Sequence, residues 1–132
     1  MRSRLALFAL MVVLAVSAAV PVASLDAAKV LDGQWRWHEG NEVGDLKATF
    51  EPVTANTWKV SFRFDFDGPH VYTGTAEGSF TEGGRLEGRV NSDRGRRQWR
   101  FEGTFKNGRL DGKHFEKRGP EEELSGTLTL FR

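Results

Sequence analysis

Alternation of apolar and polar residues with a period of two runs through most of the chain beyond residue 32. In the segment 57–66 every apolar residue is even-numbered, so the apolar side chains share one face of an extended strand. No segment in this part of the chain shows the sustained period of 3.6 residues that an amphipathic helix needs. The alternation predicts eight strands, at 34–39, 46–52, 57–66, 71–81, 85–90, 97–106, 109–116 and 123–131.

Turn-forming residues separate the predicted strands, and two of them predict the register of a hairpin. The dipeptide Asn107-Gly108 favours a two-residue turn, because both residue types tolerate positive φ. This turn places Phe105 opposite Leu110. A three-residue turn at 82–84 is predicted to place Phe80 opposite Leu86, which repeats the same glycine-rich hairpin pattern 25 residues earlier.

Eight consecutive antiparallel strands with short links predict an all-β, up-and-down meander. An even number of strands allows the first to pair with the last, so the sheet is expected to close into a small barrel. Glycine in the aromatic phase of a strand permits sharp bending and lets a neighbouring aromatic ring cover it. A two-sheet β-sandwich is the alternative. The glycines in this phase are Gly74, Gly78, Gly88, Gly103, Gly112 and Gly126.

Two family resemblances follow from these motifs. The run Phe-Glu-Gly-Thr-Phe-Lys-Asn-Gly-Arg-Leu-Asp-Gly at 101–112 resembles a MORN unit, and 74–88 resembles a second, degenerate copy. That resemblance implies a scaffold that contacts proteins or lipids. The length, the opening Gly33-Gln34-Trp35 and the closing segment 126–130 are similar in pattern to small lipocalin-like and avidin-like barrels, which implies a binding protein.

The N-terminal residues have the organisation of a secretory signal peptide. Arg2 and Arg4 precede an apolar run that ends in small residues. We predict a helical signal peptide at 1–24, cleaved after Ser24 or alternatively after Ala19, and a secreted or periplasmic product without a stable membrane anchor. An uncleaved anchor is the alternative. The predicted organisation is then an N-terminal tail at 25–32 and a single barrel domain at 33–132.

Charge and cysteine content exclude several classes of function. The predicted leader contains two basic residues and no acidic one, so the remaining roughly 108 residues carry 17 basic and 18 acidic residues. A net charge of −1 provides no long-range attraction for nucleic acid. The chain has no cysteine, so disulfides, catalytic thiols and thiolate metal sites are excluded.

Four residues are predicted to line a ligand site at the mouth of the barrel. Trp37, Tyr72, Trp99 and His114 combine an apolar body with a polar tip, and all fall on the inward phase of their strands. No catalytic residues, metal site or cofactor are predicted. The three histidines lack metal-ligand spacing. The acidic residues considered as a catalytic pair all fall on the polar face, namely Asp65, Glu77, Glu87, Glu102 and Asp111.

The segment around Trp99 also contains the one basic cluster of the chain. Arg94, Arg96 and Arg97 form a candidate anion-binding patch, with a solvated hairpin as the alternative. We predict that the protein binds a small apolar ligand without transforming it. The alternatives are a protein-interaction module, such as an exported enzyme inhibitor or an envelope scaffold that inserts residues 25–31 into a partner, and an isomerase or cyclase built around His114.

Overall fold

Each predicted segment of alternation forms a strand in the computed structural model, which describes residues 27–132. The predicted signal peptide at 1–24 lies outside the described residues. No helix within 27–132 is long and apolar enough to cross a membrane. The strands are β1 (Lys29–Trp37), β2 (Val43–Pro52), β3 (Thr57–Asp65), β4 (Pro69–Gly78), β5 (Arg85–Ser92), β6 (Gln98–Lys106), β7 (Arg109–Arg118) and β8 (Glu121–Phe131), with a short 3-10 helix (Glu39–Asn41) between β1 and β2.

The strands form one closed antiparallel barrel in sequence order, which confirms the predicted all-β meander and excludes the sandwich. The seam is the pairing of β1 with β8, where Gly33 lies opposite Leu130 and Trp35 lies opposite Leu128. Every strand therefore has two hydrogen-bonded neighbours, and the sheet has no open edge.

The first strand begins earlier than predicted, at Lys29 instead of Gln34. Leu31 is fully buried and lies opposite Ala48 of β2, so hydrophobic burial extends the strand toward the N-terminus. Residues 29–32, predicted as part of a tail, are instead part of the barrel wall. They are paired into the sheet and are not available for insertion into a partner.

The two predicted hairpins have different outcomes. The β6–β7 register is confirmed, with Phe105 opposite Leu110 and with positive φ at the turn. The predicted β4–β5 register is wrong by two residues, because Leu86 lies opposite Gly78 and not opposite Phe80. The connection 79–84 leaves the ladder and bonds to β6 instead: the amide of Gly83 donates to the carbonyl oxygen of Phe105 at 2.8 Å.

Released from the ladder, Phe80 folds across one end of the barrel. Its ring meets those of Phe50, Trp58 and Phe105 with centroids 4.9, 5.0 and 5.4 Å apart. All four side chains are buried, and this end, which we call the closed end, is filled by side chains.

Glycine makes room for rings on the inner surface, as the aromatic phase predicted. An ideal Cβ atom on Gly88 would lie 2.6 Å from the ring of Phe101, and one on Gly126 would lie 2.7 Å from the ring of His114. Such contacts are too short for a real Cβ atom. Both rings therefore lie directly on backbone that only glycine leaves uncovered.

Candidate functional site

The opposite end of the barrel, which we call the open end, contains a cavity of about 440 Å³. In an up-and-down barrel the β1–β2, β3–β4, β5–β6 and β7–β8 connections all lie at the same end, and the first three of these, or the strand ends beside them, contribute to the cavity mouth. The cavity is lined by Trp35, Trp37, Glu39, Gly40, Glu42, Leu46, Phe62, Phe64, Phe66, His70, Tyr72, Val90, Arg97, Trp99, Phe101, His114 and Leu128.

Aromatic rings form a continuous series of contacts around the cavity. Trp37 meets Trp99 with ring centroids 5.2 Å apart, and Trp99 meets Tyr72 at 6.3 Å. The series continues from Tyr72 to Phe64 at 5.2 Å and from Phe64 to Trp35 at 6.1 Å. Edge-to-face and tilted pairs of this kind fix ring orientations, so the wall of the cavity is largely preformed.

All four residues of the predicted ligand site line this one cavity. Trp37, Tyr72, Trp99 and His114 come from β1, β4, β6 and β7, and the inward phase of each strand brings them together. His114 contacts both tryptophans, with ring centroids 6.0 Å from Trp37 and 5.4 Å from Trp99.

The imidazole of His114 has both nitrogens engaged by the protein. Nε2 lies 3.0 Å from the carbonyl oxygen of Arg36, which can only accept, so Nε2 carries the proton. Nδ1 lies 2.7 Å from the hydroxyl oxygen of Ser125, whose single proton is shared between Nδ1 and the carbonyl oxygen of His114 at 2.9 Å. Burial lowers the pKa of His114 to about 4, so the ring is neutral at pH 7.

This arrangement gives His114 a structural role at an irregularity of the sheet. The β7–β8 register shifts between His114 and Phe115, and Ser125 lies on β8 at this bulge. Ser125 does not belong to the cavity lining. With no free imidazole nitrogen facing the cavity, His114 is poorly placed to transfer a proton to or from a bound molecule, as an isomerase would require.

Twelve of the seventeen lining residues were not predicted as site residues, and four of these are aromatic side chains near the open end. Trp35, Phe64 and Phe66 continue the inward phase to the open end, and alternation alone could have identified them. His70 lies one residue before the predicted strand 71–81, but the structure includes it in β4, where its ring stacks on Phe64 with centroids 5.2 Å apart. Its Nε2 lies 2.8 Å from the carbonyl oxygen of Phe66, so it fastens the β3–β4 connection.

Two tryptophans at the open end have buried indole nitrogens without a hydrogen-bond partner among the described residues. They are Trp35 and Trp99. The Trp35 indole lies on Gly44, whose ideal Cβ would come within 2.6 Å of Nε1. A buried donor without an acceptor costs about 1–3 kcal/mol. Both tryptophans line the cavity, so each is a lining residue whose indole N–H has no acceptor among the described residues.

The three arginines of the predicted anion patch differ in whether they line the cavity. All three are exposed on or beside the β5–β6 connection, but only Arg97 lines the cavity. None of Arg94, Arg96 and Arg97 takes part in an ion pair within residues 27–132. The nearby Arg100 differs, because it lies on the outer face and is paired with Glu102 and Glu122.

Comparison with family models, curated proteins and solved structures found no match for the chain. Across residues 27–132 no group of three or more histidine or acidic side chains could hold a metal ion.

Proposed function

We propose that this barrel binds a small, largely apolar ligand in the cavity at its open end, without transforming it. The observation that carries the proposal is the contrast between the two halves of the interior. Phe50, Trp58 and Phe80 fill the closed end, whereas the rings at the open end surround about 440 Å³ of space. An eight-stranded barrel is just wide enough either to be filled by side chains or to hold one small ligand.

The size and chemistry of the cavity support this proposal. Ligand pockets typically measure about 300–1,000 Å³ and combine apolar walls with a few polar groups. Here the walls are mainly aromatic, and the polar lining groups are few and lie mostly near the mouth. The predicted signal peptide at 1–24 supports placing this binding in the periplasm or outside the cell.

Titration with aminoanthracene, a planar and neutral fluorescent reporter, tests the proposal. We expect saturable binding with an increase in reporter emission, because the dye leaves water for an apolar site. Leu128→Trp should fill the base of the cavity and abolish binding, since Leu128 is a lining residue and is buried. Val90→Phe offers a smaller obstruction at a second lining position.

Thr129→Trp is the matched control, because it adds the same ring to the next position of β8, on the outer face. This variant should bind the reporter like the unmodified protein. Absence of saturable binding to the unmodified protein would overturn the proposal. Undiminished binding to cooperatively folded Leu128→Trp and Val90→Phe variants would place the site elsewhere and overturn it too.

A further inference from the structure

The polar groups available on one side of the cavity are hydrogen-bond donors. Arg97 immediately precedes β6 and Trp99 is the second residue of that strand, so the two share the inward phase and both line the cavity. The indole Nε1–H of Trp99 is buried and unpartnered, and tryptophan can only donate. His114 adds no acceptor here, because its nitrogens are engaged by Arg36 and Ser125.

Arg97 is held in place by its backbone while its side chain is left unpaired. Its carbonyl oxygen accepts a hydrogen bond from the amide of Ser92 at 2.9 Å, which closes the β5–β6 hairpin. The guanidinium forms no ion pair with any residue that the structure describes. A guanidinium of this kind can offer two parallel N–H groups to a carboxylate.

The acidic residues that line the cavity lie on the opposite side. Glu116 lies opposite Trp99 in the β6–β7 ladder, but it is not a lining residue and its carboxylate pairs with Arg118 at 3.5 Å. Glu39 and Glu42 belong to the β1–β2 connection, which is four strands away from the β5–β6 connection in either direction around the closed barrel. The amide of Trp37 donates to the carbonyl oxygen of Glu42 at 2.8 Å, so this connection is also a tight turn. The mouth therefore has a basic side next to Trp99 and an acidic side across from it.

We infer that the ligand is an amphipathic carboxylate, with its apolar body among the aromatic rings and its carboxylate between Arg97 and the Nε1–H of Trp99. This inference rests on the proposed function. A carboxylate supplies the acceptor that the Trp99 indole lacks and the anion that Arg97 lacks. Glu39 and Glu42 would repel the same group from the far side of the mouth, so the charge pattern also sets the ligand's orientation.

Displacement of bound aminoanthracene by three naphthalene derivatives tests the inference. Naphthylacetate, naphthylethanol and naphthylethylamine share one ring system and differ mainly in an anionic, neutral or cationic end group. We expect naphthylacetate to bind about tenfold more tightly than naphthylethanol, the effect of one charge-assisted contact at a partly exposed site. Naphthylethylamine should bind most weakly.

Two substitutions locate the contact. Arg97→Gln should abolish the preference for the acid over the alcohol, measured as the ratio of the two affinities in this variant. Arg94→Gln removes the same charge from the same connection at a position that does not line the cavity, so it should keep most of the preference. Trp99→Phe retains an aromatic ring but removes the N–H, so it should reduce the ratio of naphthylacetate affinity to naphthylethanol affinity.

The outcomes separate this inference from the proposed function. If aminoanthracene itself does not bind, the proposed function is wrong. If the reporter binds but the alcohol or the amine competes as well as the acid, the cavity binds ligands and the carboxylate inference is overturned. If Arg94→Gln reduces the preference as much as Arg97→Gln, a diffuse field of the connection is responsible and the contact at Arg97 is overturned.

Discussion

The indole rings of Trp37 and Trp99 meet edge to face, with centroids 5.2 Å apart and planes inclined at 71°. These residues belong to β1 and β6, which are not neighbours, because β7 and β8 lie between them in the sheet. The contact therefore crosses the barrel interior, and His114 of β7 packs against both rings. This cluster forms one wall of the cavity.

Removing one ring of this pair should weaken binding more than folding. In Trp37→Ala we expect the affinity for aminoanthracene to fall about tenfold, because the ligand loses its contact with the Trp37 ring. A contact between two aromatic rings contributes about 0.5–1.5 kcal/mol beyond its buried area. Trp58→Phe at the closed end should lower the free energy of unfolding while leaving the affinity unchanged. Reporter titration and urea denaturation of both variants make the comparison, and an unchanged affinity in Trp37→Ala would contradict it.

Phe80 should be a major contributor to stability although it lies in a connection and not in a strand. It is 7% exposed and contacts three other buried rings. We expect Phe80→Ala to lower the free energy of unfolding by about 3–5 kcal/mol through the space left at the closed end. Urea denaturation measures the loss.

Phe66→Ala is the matched control for Phe80→Ala, because Phe66 also lies just beyond a strand but is 48% exposed. It should cost less than about 1.5 kcal/mol. Equal losses in the two variants would show that burial of Phe80 does not stabilise the closed end.

Stability should depend on pH through His114. Its pKa falls from 6.5 to about 4 on folding because burial disfavours the charged ring. Between these two pH values the unfolded chain binds a proton that the folded protein does not. The free energy of unfolding is therefore highest above pH 6.5 and decreases as the pH falls toward 4. The full difference corresponds to about 3 kcal/mol at pH 4 relative to pH 7. Urea denaturation at several pH values measures this slope.

His114→Phe should remove the slope between pH 6.5 and 4.5, whatever its absolute stability, whereas His70→Gln should keep it. Below pH 4.5 the carboxylate of Glu122 also contributes to the pH dependence of stability. The guanidinium of Arg100 holds the pKa of Glu122 below its usual 4.5, so the stability that this pair contributes is present above pH 4.5 and is lost in stronger acid. A slope that persists in His114→Phe would contradict the assignment.

Arg100 organises the outer face of the barrel. Its guanidinium lies 2.6 Å from Glu122, 2.8 Å from Glu102 and 3.5 Å from Glu87, and it covers the ring of Phe115 at 4.1 Å. Arg100→Met should lower the free energy of unfolding by about 1 kcal/mol through the lost cation–π contact. The free energy of unfolding of this variant should also change less with salt concentration than that of the unmodified protein.

Arg109→Met provides the comparison for Arg100→Met, because Arg109 forms a single exposed pair with Asp111 on β7. Exposed pairs of this kind contribute little, so this variant should be close to neutral. Denaturation at low and high salt distinguishes the two. Equal, small losses would mean that the three carboxylates gain nothing from sharing one cation.

The parts of the fold that local chemistry determines could be predicted from the sequence. Alternation decides which side chains face inward, and the two-residue turn at Asn107-Gly108 leaves only one register for β6 and β7. The β4–β5 register could not be predicted in this way. The connection 79–84 is held by hydrogen bonds between Gly83, Gly84 and Phe105, which come from a distant part of the chain.

The same distinction applies to the site. Trp37, Tyr72, Trp99 and His114 could be brought together because each lies on the inward phase of a predicted strand. The hydrogen bond of His114 to Ser125 could not be predicted, because Ser125 becomes inward-facing only through the bulge in the β7–β8 ladder. Arg97 was predicted as part of a surface patch, although it precedes Trp99 by two residues in the predicted strand 97–106. The alternation that placed Trp99 inward could therefore have distinguished Arg97 from Arg94 and Arg96.

The seam between β1 and β8 has a consequence for how the protein is made. The strands that close the barrel are the first and the last of the eight described strands, with Asp32 opposite Phe131. Synthesis proceeds from β1 toward β8, so one edge of β1 has no partner until β8 has been made. Because β1 and β8 are the two strands of the barrel that are farthest apart in sequence, we expect their pairing to form after the local hairpins. Until it forms, β1 has an open edge that could pair with another chain.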